Sequence, residues 1–107
     1  MIKINKQLQR PDGGNVSAGS IVDYTTRMVG ESMTVIYFIK LYFSQSAMEN
    51  GKLTVPAVDN FGYKIVKNCT EQEWLDMNTL PNAGLLVQDW LQDIIDELIG
   101  VGNTEII

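Results

Sequence analysis

In the stretch "AGLLVQDWLQDIIDELIG", Asp89, Asp93, Asp96 and Glu97 recur at the spacing that gathers side chains on one side of a helix. Carboxylates so placed can hold a hard cation, but nothing nearby resembles a D-x-D-x-D-G calcium loop or a histidine-bearing di-metal motif, so no metal is expected. The chain has no histidine, which removes the commonest general acid/base, metal ligand and triad member together. Cys69 precedes an expected helix N-terminus, a position that can lower a thiol pKa, yet it has neither a base nor a second cysteine beside it in the sequence. It reads as a small buried hydrophobe. "PDGG" and "GVG" are turn chemistry rather than a phosphate-cradling loop, and "NCT" at Asn68 is a chance glycosylation match. These residues point to no enzyme and no cofactor.

The elements that would carry them form two groups. "SIVDYTTRMV" and "MTVIYFIKLYF" are rich in β-branched and aromatic residues around "GES", which predicts a hairpin turning near Gly30 to Ser32. "SQSAMENG" predicts one or two helical turns capped by Ser44 or Ser46 and stopped at Asn50-Gly51. "KLTVPAV" and "YKIVKN" predict two short strands around "DNFG", with Pro56 placing the first at an edge or strand end. The last third is helical. Thr70 with Glu73 forms a capping-box signature, the helix it opens should end before Pro81, and a second helix should run from about Ala83 to Ile99 and stop at Gly100. Strands followed by helices without strict alternation indicate an α+β fold. The expected architecture is a small antiparallel sheet, the long hairpin plus two short strands, packed against two C-terminal helices. Residues 1–19 read as an extended N-terminal arm, 20–100 as a single domain and 101–107 as a tail whose Ile106 and Ile107 could add a strand or an anchor.

The second hairpin strand is apolar on both faces. Met33, Val35, Tyr37, Ile39, Leu41 and Phe43 alternate with Thr34, Ile36, Phe38, Lys40, Tyr42 and Ser44, and the second set still carries three large apolar groups. A sheet wetted on one side would alternate cleanly, so this strand is expected to be covered twice. Eleven residues at ~3.3 Å each would extend about 36 Å, the full width of a small domain. Two helices can cover one face. Ile36, Phe38 and Tyr42 on the other must be covered by the arm, by the short helix after Ser44, or by another chain.

The C-terminal helix repeats the theme. Its apolar residues, from Leu86 to Ile99, fill an arc of about 220°, wider than the ~100° stripe of an ordinary surface helix. The remaining arc holds only Asp89, Asp93, Asp96 and Glu97. Asp89 with Asp93 and Asp93 with Glu97 are like-charge i, i+4 pairs, each unfavourable by a few tenths of a kcal/mol, and Asp96 and Glu97 oppose the helix dipole. A lysine at any of these positions would relieve that cost. The ridge therefore either serves solubility or meets a basic surface, such as Arg27, Lys40, Lys64 and Lys67 of a neighbouring copy.

Composition agrees with a partner-driven role. The 107 residues carry a net charge of −5, but residues 1–69 hold all eight bases against five acids and residues 70–107 hold eight acids and no base. Halves of +3 and −8 suggest contact between unlike surfaces. Eight bases among thirteen acids give no basic stripe for nucleic acid. No run approaches the ~18 apolar residues of a membrane span, the N-terminus lacks a signal-peptide core, and a single cysteine suits a reducing compartment.

The arrangement "NKQLQRPDGGNVSAGSIVDYTT", then "TVIYFIKLYFSQSAMENGK", then a closing amphipathic helix and short tail, resembles the small virion-module proteins of tailed bacteriophages. The resemblance is one of general form over most of the chain and transfers no functional residue. It implies a head, neck or tail subunit, in the virion or the host cytoplasm, that contacts copies of itself or other virion proteins. The expected interface is Ile36, Phe38 and Tyr42 together with Asp89, Asp93, Asp96 and Glu97. The alternative is a small acidic inhibitor or nucleic-acid mimic whose ridge fills a basic cleft on a host protein.

Overall fold

A computed structural model of the chain describes residues 1–9, 15–16, 19–51 and 64–107. The expected strand "KLTVPAV", with Pro56 and "DNFG", lies outside the described residues, as does "RPDGG". The fold is α+β, as the order of strands and helices implies. Its elements are β1 (Ile2–Ile4), β2 (Leu8–Gln9), β3 (Asn15–Val16), β4 (Ser20–Val29), a 3-10 turn (Gly30–Ser32), β5 (Thr34–Tyr42), α1 (Gln45–Glu49), β6 (Lys64–Asn68), α2 (Glu71–Thr79), α3 (Ala83–Ile99) and β7 (Thr104–Ile106). Five strands form one antiparallel sheet in the order β6-β5-β4-β1-β7, and β2 pairs with β3 alone.

The β4–β5 hairpin is the spine of the sheet, paired from Ile21↔Tyr42 to Val29↔Thr34. Its turn falls at Gly30–Ser32 and is closed by Met33 in the left-handed region at φ 49°. The C-terminal elements also follow their local signals. Thr70 Oγ1 accepts from the Glu73 amide at 3.2 Å while Glu73 Oε1 accepts from the Thr70 amide at 2.9 Å, which completes the capping box. Helix α2 stops at Thr79, ahead of Pro81, and α3 stops at Gly100, whose φ of 101° no side-chain-bearing residue adopts without strain. Ser44 caps α1 through the Ala47 amide at 3.1 Å.

Register divides the sheet into two faces, because directly opposed residues point the same way. Val35, Tyr37, Ile39 and Leu41 of β5, Val22 of β4 and Ile65 of β6 face the helices and are buried against Met77 of α2 and Val87, Leu91, Ile95 and Ile99 of α3. Leu91 and Ile95 are wholly inaccessible, each contributing about 1.5–3 kcal/mol by burial. Tyr37, also fully buried, places its hydroxyl against the α3 backbone and donates to the Val87 carbonyl at 2.6 Å. Burial drives that phenol's pKa strongly upward.

Both chain ends depart from the expected division into arm, domain and tail. Ile2–Ile4 is a strand inside the sheet, between β4 and β7, with Ile2 and Ile4 fully buried in the core. The tail takes the strand option: Thr104–Ile106 pairs with β1, and the Ile107 amide donates to the Met1 carbonyl at 3.1 Å. Residues 1–4 thus belong to the domain that the sequence reading began at residue 20. Their two isoleucines complete the inner face next to Val22, a role visible only once that neighbour is placed.

Candidate interaction surface

The second face of the sheet assembles residues from three strands. Ile36 lies between Arg27 and Val66, Phe38 between Thr25 and Lys64, and Lys40 opposite Asp23. Phe38 is 41% exposed and Val66 49%, while Ile36 is half-buried. Phe38 and Val66 are thus apolar groups left partly in water beside Ile36, with Arg27, Lys64 and Lys40 as neighbouring cations and Asp23 across from Lys40. A hollow of about 160 Å³ opens here, lined by Phe38, Lys40, Asp23 and Thr25 with Tyr24 and Ile39. Val66 had no place in the sequence reading, although its parity in "KIVKN", opposite to that of the buried Ile65, already sets it on this face.

The Tyr42 end differs. Tyr42 is half-buried, and its register partner Ile21 is 1% exposed although it lies outside the main core cluster. Helix α1, with Ala47 and Met48 half-buried, contacts both β4 and β5. The short helix after Ser44 therefore accompanies this end of the sheet, and the open surface contracts to Ile36, Phe38 and Val66.

Lys67 does not join the cations of this face. It is the register partner of Val35, so it points to the helix side, where its Nζ lies 3.0 Å from Glu73 Oε2 and 5.1 Å from the centroid of the Trp90 ring. It is an internal partner, and the grouping of Lys67 with Arg27, Lys40 and Lys64 is corrected accordingly. The Thr70 amide and Lys67 together hold the Glu73 carboxyl below its usual pKa. Cys69, next to this corner, is buried and reduced, and burial pushes its thiol up despite Lys67.

On α3 the acidic row also separates into two kinds. Asp89, Asp93 and Glu97 are exposed, and among the described residues no cation pairs with them. Asp96 is half-buried and its Oδ1 accepts from Thr104 Oγ1 at 2.7 Å, which ties α3 to β7. It is thus set apart from the three exposed carboxylates of the row. The helix C-terminus receives compensation that the sequence did not disclose: Lys6 Nζ donates to the Ile99 carbonyl at 2.8 Å, setting a cation where the dipole is negative. Among the described residues the like-charge pairs Asp89–Asp93 and Asp93–Glu97 have no such relief. Asp89 also reaches the sheet electrostatically, since it adds to burial and Asp23 in raising the Tyr24 phenol.

Of the broad apolar arc on α3, Val87, Leu91, Ile95 and Ile99 are buried, Leu86, Trp90 and Ile94 are half-buried, and Leu98 is at 38% exposure. Leu85, which lies outside the apolar arc from Leu86 to Ile99, is 61% exposed one turn before Asp89 and begins the same i, i+4 row. No three metal-ligating side chains converge among the described residues, and no helix there is long and apolar enough to cross a membrane. Searches against protein-family models, curated proteins and solved structures found no match to this chain.

Proposed function

We propose that this chain is a non-enzymatic structural subunit that works through protein–protein contacts, as a component of the head, neck or tail of a phage virion assembled from copies of itself and neighbouring proteins. The observation that carries the reading is the outer sheet face: Phe38 and Val66 are exposed beside Ile36 on the β4–β5–β6 part of the sheet, with Arg27, Lys40 and Lys64 around them. Large apolar groups clustered within a polar rim are the anatomy of a contact surface. The general resemblance to virion-module proteins supplies the setting, and the separation of charge between the sheet and helix sides supplies a means of recognition.

Light scattering across a concentration series tests it. The wild type should form a discrete oligomer, and Phe38→Asp should shift it to monomer without loss of secondary structure. A wild type that remains monomeric at high concentration and does not bind neighbouring virion proteins would refute the assembly role. The acidic-inhibitor reading is favoured only by the unpaired row Asp89, Asp93 and Glu97. It predicts a salt-sensitive complex with one basic partner that Phe38→Asp leaves intact.

A further inference from the structure

We infer that assembly proceeds head to tail, with the outer sheet face of one copy seated on the α3 acidic row of the next. This inference rests on the assembly reading and specifies its geometry. The occupant is chosen by charge. The sheet face presents Arg27, Lys40 and Lys64, with the half-buried Asp23 across from Lys40 leaving it a net positive charge, and the helix row presents Asp89, Asp93 and Glu97; among the described residues none of these three cations and three carboxylates has an ion-pair partner in its own chain. A two-fold contact of sheet on sheet would oppose the three cations to themselves, and one of helix on helix would do the same to the carboxylates. Only the unlike pairing neutralises both.

The spacing also agrees. Along β5 the three cations sit at successive levels two residues apart: Arg27 beside Ile36, Lys64 beside Phe38, and Lys40 itself. Two strand residues advance about 6.7 Å. On α3 the carboxylates follow one another every four residues, an advance of about 6 Å. An α3 laid along the strand direction therefore meets one cation per carboxylate over three steps, and the ~4.8 Å sideways offsets between strands lie within reach of lysine and arginine side chains. Phe38 stands at the middle level, and Leu85 extends the helix row with an exposed apolar group.

The sheet face and the acidic row lie on opposite sides of a two-layer domain, so each copy that accepts a neighbour on one side still offers the other. Such a contact is heterologous and gives a ring if the rotation closes and a filament if it does not.

Charge exchange tests this directly. One variant carries Arg27→Glu, Lys40→Glu and Lys64→Glu; the other carries Asp89→Lys, Asp93→Lys and Glu97→Lys. Sedimentation velocity should show each folded and monomeric alone, and oligomers in the equimolar mixture, because reversed faces are complementary to each other in alternation. A mixture that stays monomeric while both variants are folded would overturn the inference, as would assembly of the acid-reversed variant alone. The single exchanges Lys64→Glu and Asp93→Lys repeat the test should a triple variant fail to fold. In the wild type the association constant should fall by about tenfold or more between low and high salt, since these charges are exposed. A salt-independent association would refute the pairing. Loss of assembly with Phe38→Asp but not with acid reversal would retain the assembly role and remove the head-to-tail geometry, whereas a monomeric wild type would remove both.

Discussion

Glu73 joins three elements, and removing it should measure how firmly they are joined. One of its oxygens accepts from the Thr70 amide at 2.9 Å at the start of α2, and the other lies 3.0 Å from Lys67 of β6. Lys67 in turn sits 5.1 Å from the centroid of Trp90 of α3. In Glu73→Ala the reciprocal half of the capping box is lost, about 0.5–1 kcal/mol, toward the low end because the Thr70 amide is then open to water. The ion pair adds about 0.5–1 kcal/mol, the upper part of the surface range, since the two side chains are only 19% and 29% exposed. A Lys67 freed from Glu73 also holds less firmly to Trp90, a further few tenths of a kcal/mol. The expected loss is about 1–2 kcal/mol, or roughly 1 M in urea midpoint for a chain of this size. Trp74 and Trp90 are the only tryptophans and flank this corner, so intrinsic fluorescence reads the transition directly. Glu73→Gln should lose about half as much, because the amide oxygen still accepts from Thr70. A pH series separates the terms. The Glu73 carboxyl is held below its ordinary pKa by the Thr70 amide first and Lys67 next. Its stabilisation is present above the ordinary carboxyl range and is lost as pH falls through the depressed value, so wild type and Glu73→Gln should converge in acid. A Glu73→Ala variant within about 0.3 kcal/mol of wild type at neutral pH, or a gap to Glu73→Gln unchanged in acid, would refute this account.

Two further outcomes follow from local geometry. Tyr37→Phe removes the 2.6 Å hydrogen bond to the Val87 carbonyl and should cost about 0.5–1.5 kcal/mol at neutral pH by urea denaturation. Because burial raises the Tyr37 pKa, the unfolded chain ionises first above about pH 10, so wild-type stability should fall there and the variant's should fall less. Gly100→Ala sets a side chain at φ 101° with its Cβ 2.9 Å from Asn103 Nδ2, which should lower stability by about 1–3 kcal/mol in a thermal melt.

What could be read from the sequence was set by neighbours close along the chain. The hairpin turn at Gly30–Ser32, the Thr70–Glu73 box and the limits of α3 all depend on residues within a few positions of one another, and each appears where expected. The apolar patterning of both faces of β5 was also legible, since its alternation is contained in nine residues, but the expected cover over the second face is not complete among the described residues, where Phe38 stays exposed. Strand β1 was not. Three residues with two isoleucines carry almost no pattern, and their strand identity is conferred by Val22 and Ile106, which lie far away in the sequence. Lys67 is a different case. Lys64 and Lys67 are three apart in a strand of period two and must point to opposite faces, so the parity that sets Lys67 on the other face from Lys64 is contained in the sequence, while its pairing with Glu73 is not. The tie of Asp96 to Thr104 and that of Lys6 to Ile99 required the tertiary path of the chain.

The insertion of β1 between β4 and β7 has a kinetic meaning. The β4–β5 ladder closes through a four-residue connection, Gly30 to Met33, a fast local event, whereas among the described residues β7 has no strand partner except β1, and their pairing joins positions about a hundred residues apart. Closing so large a loop costs entropy that only the finished core repays, so contacts of this kind slow the search. The hairpin with its helices is thus suited to form first and to serve as the template on which the first and last strands are laid. The seam at Ile2 and Ile106 is then the part of the sheet that completes last, where a destabilising change would quicken unfolding while leaving the rate of folding largely untouched.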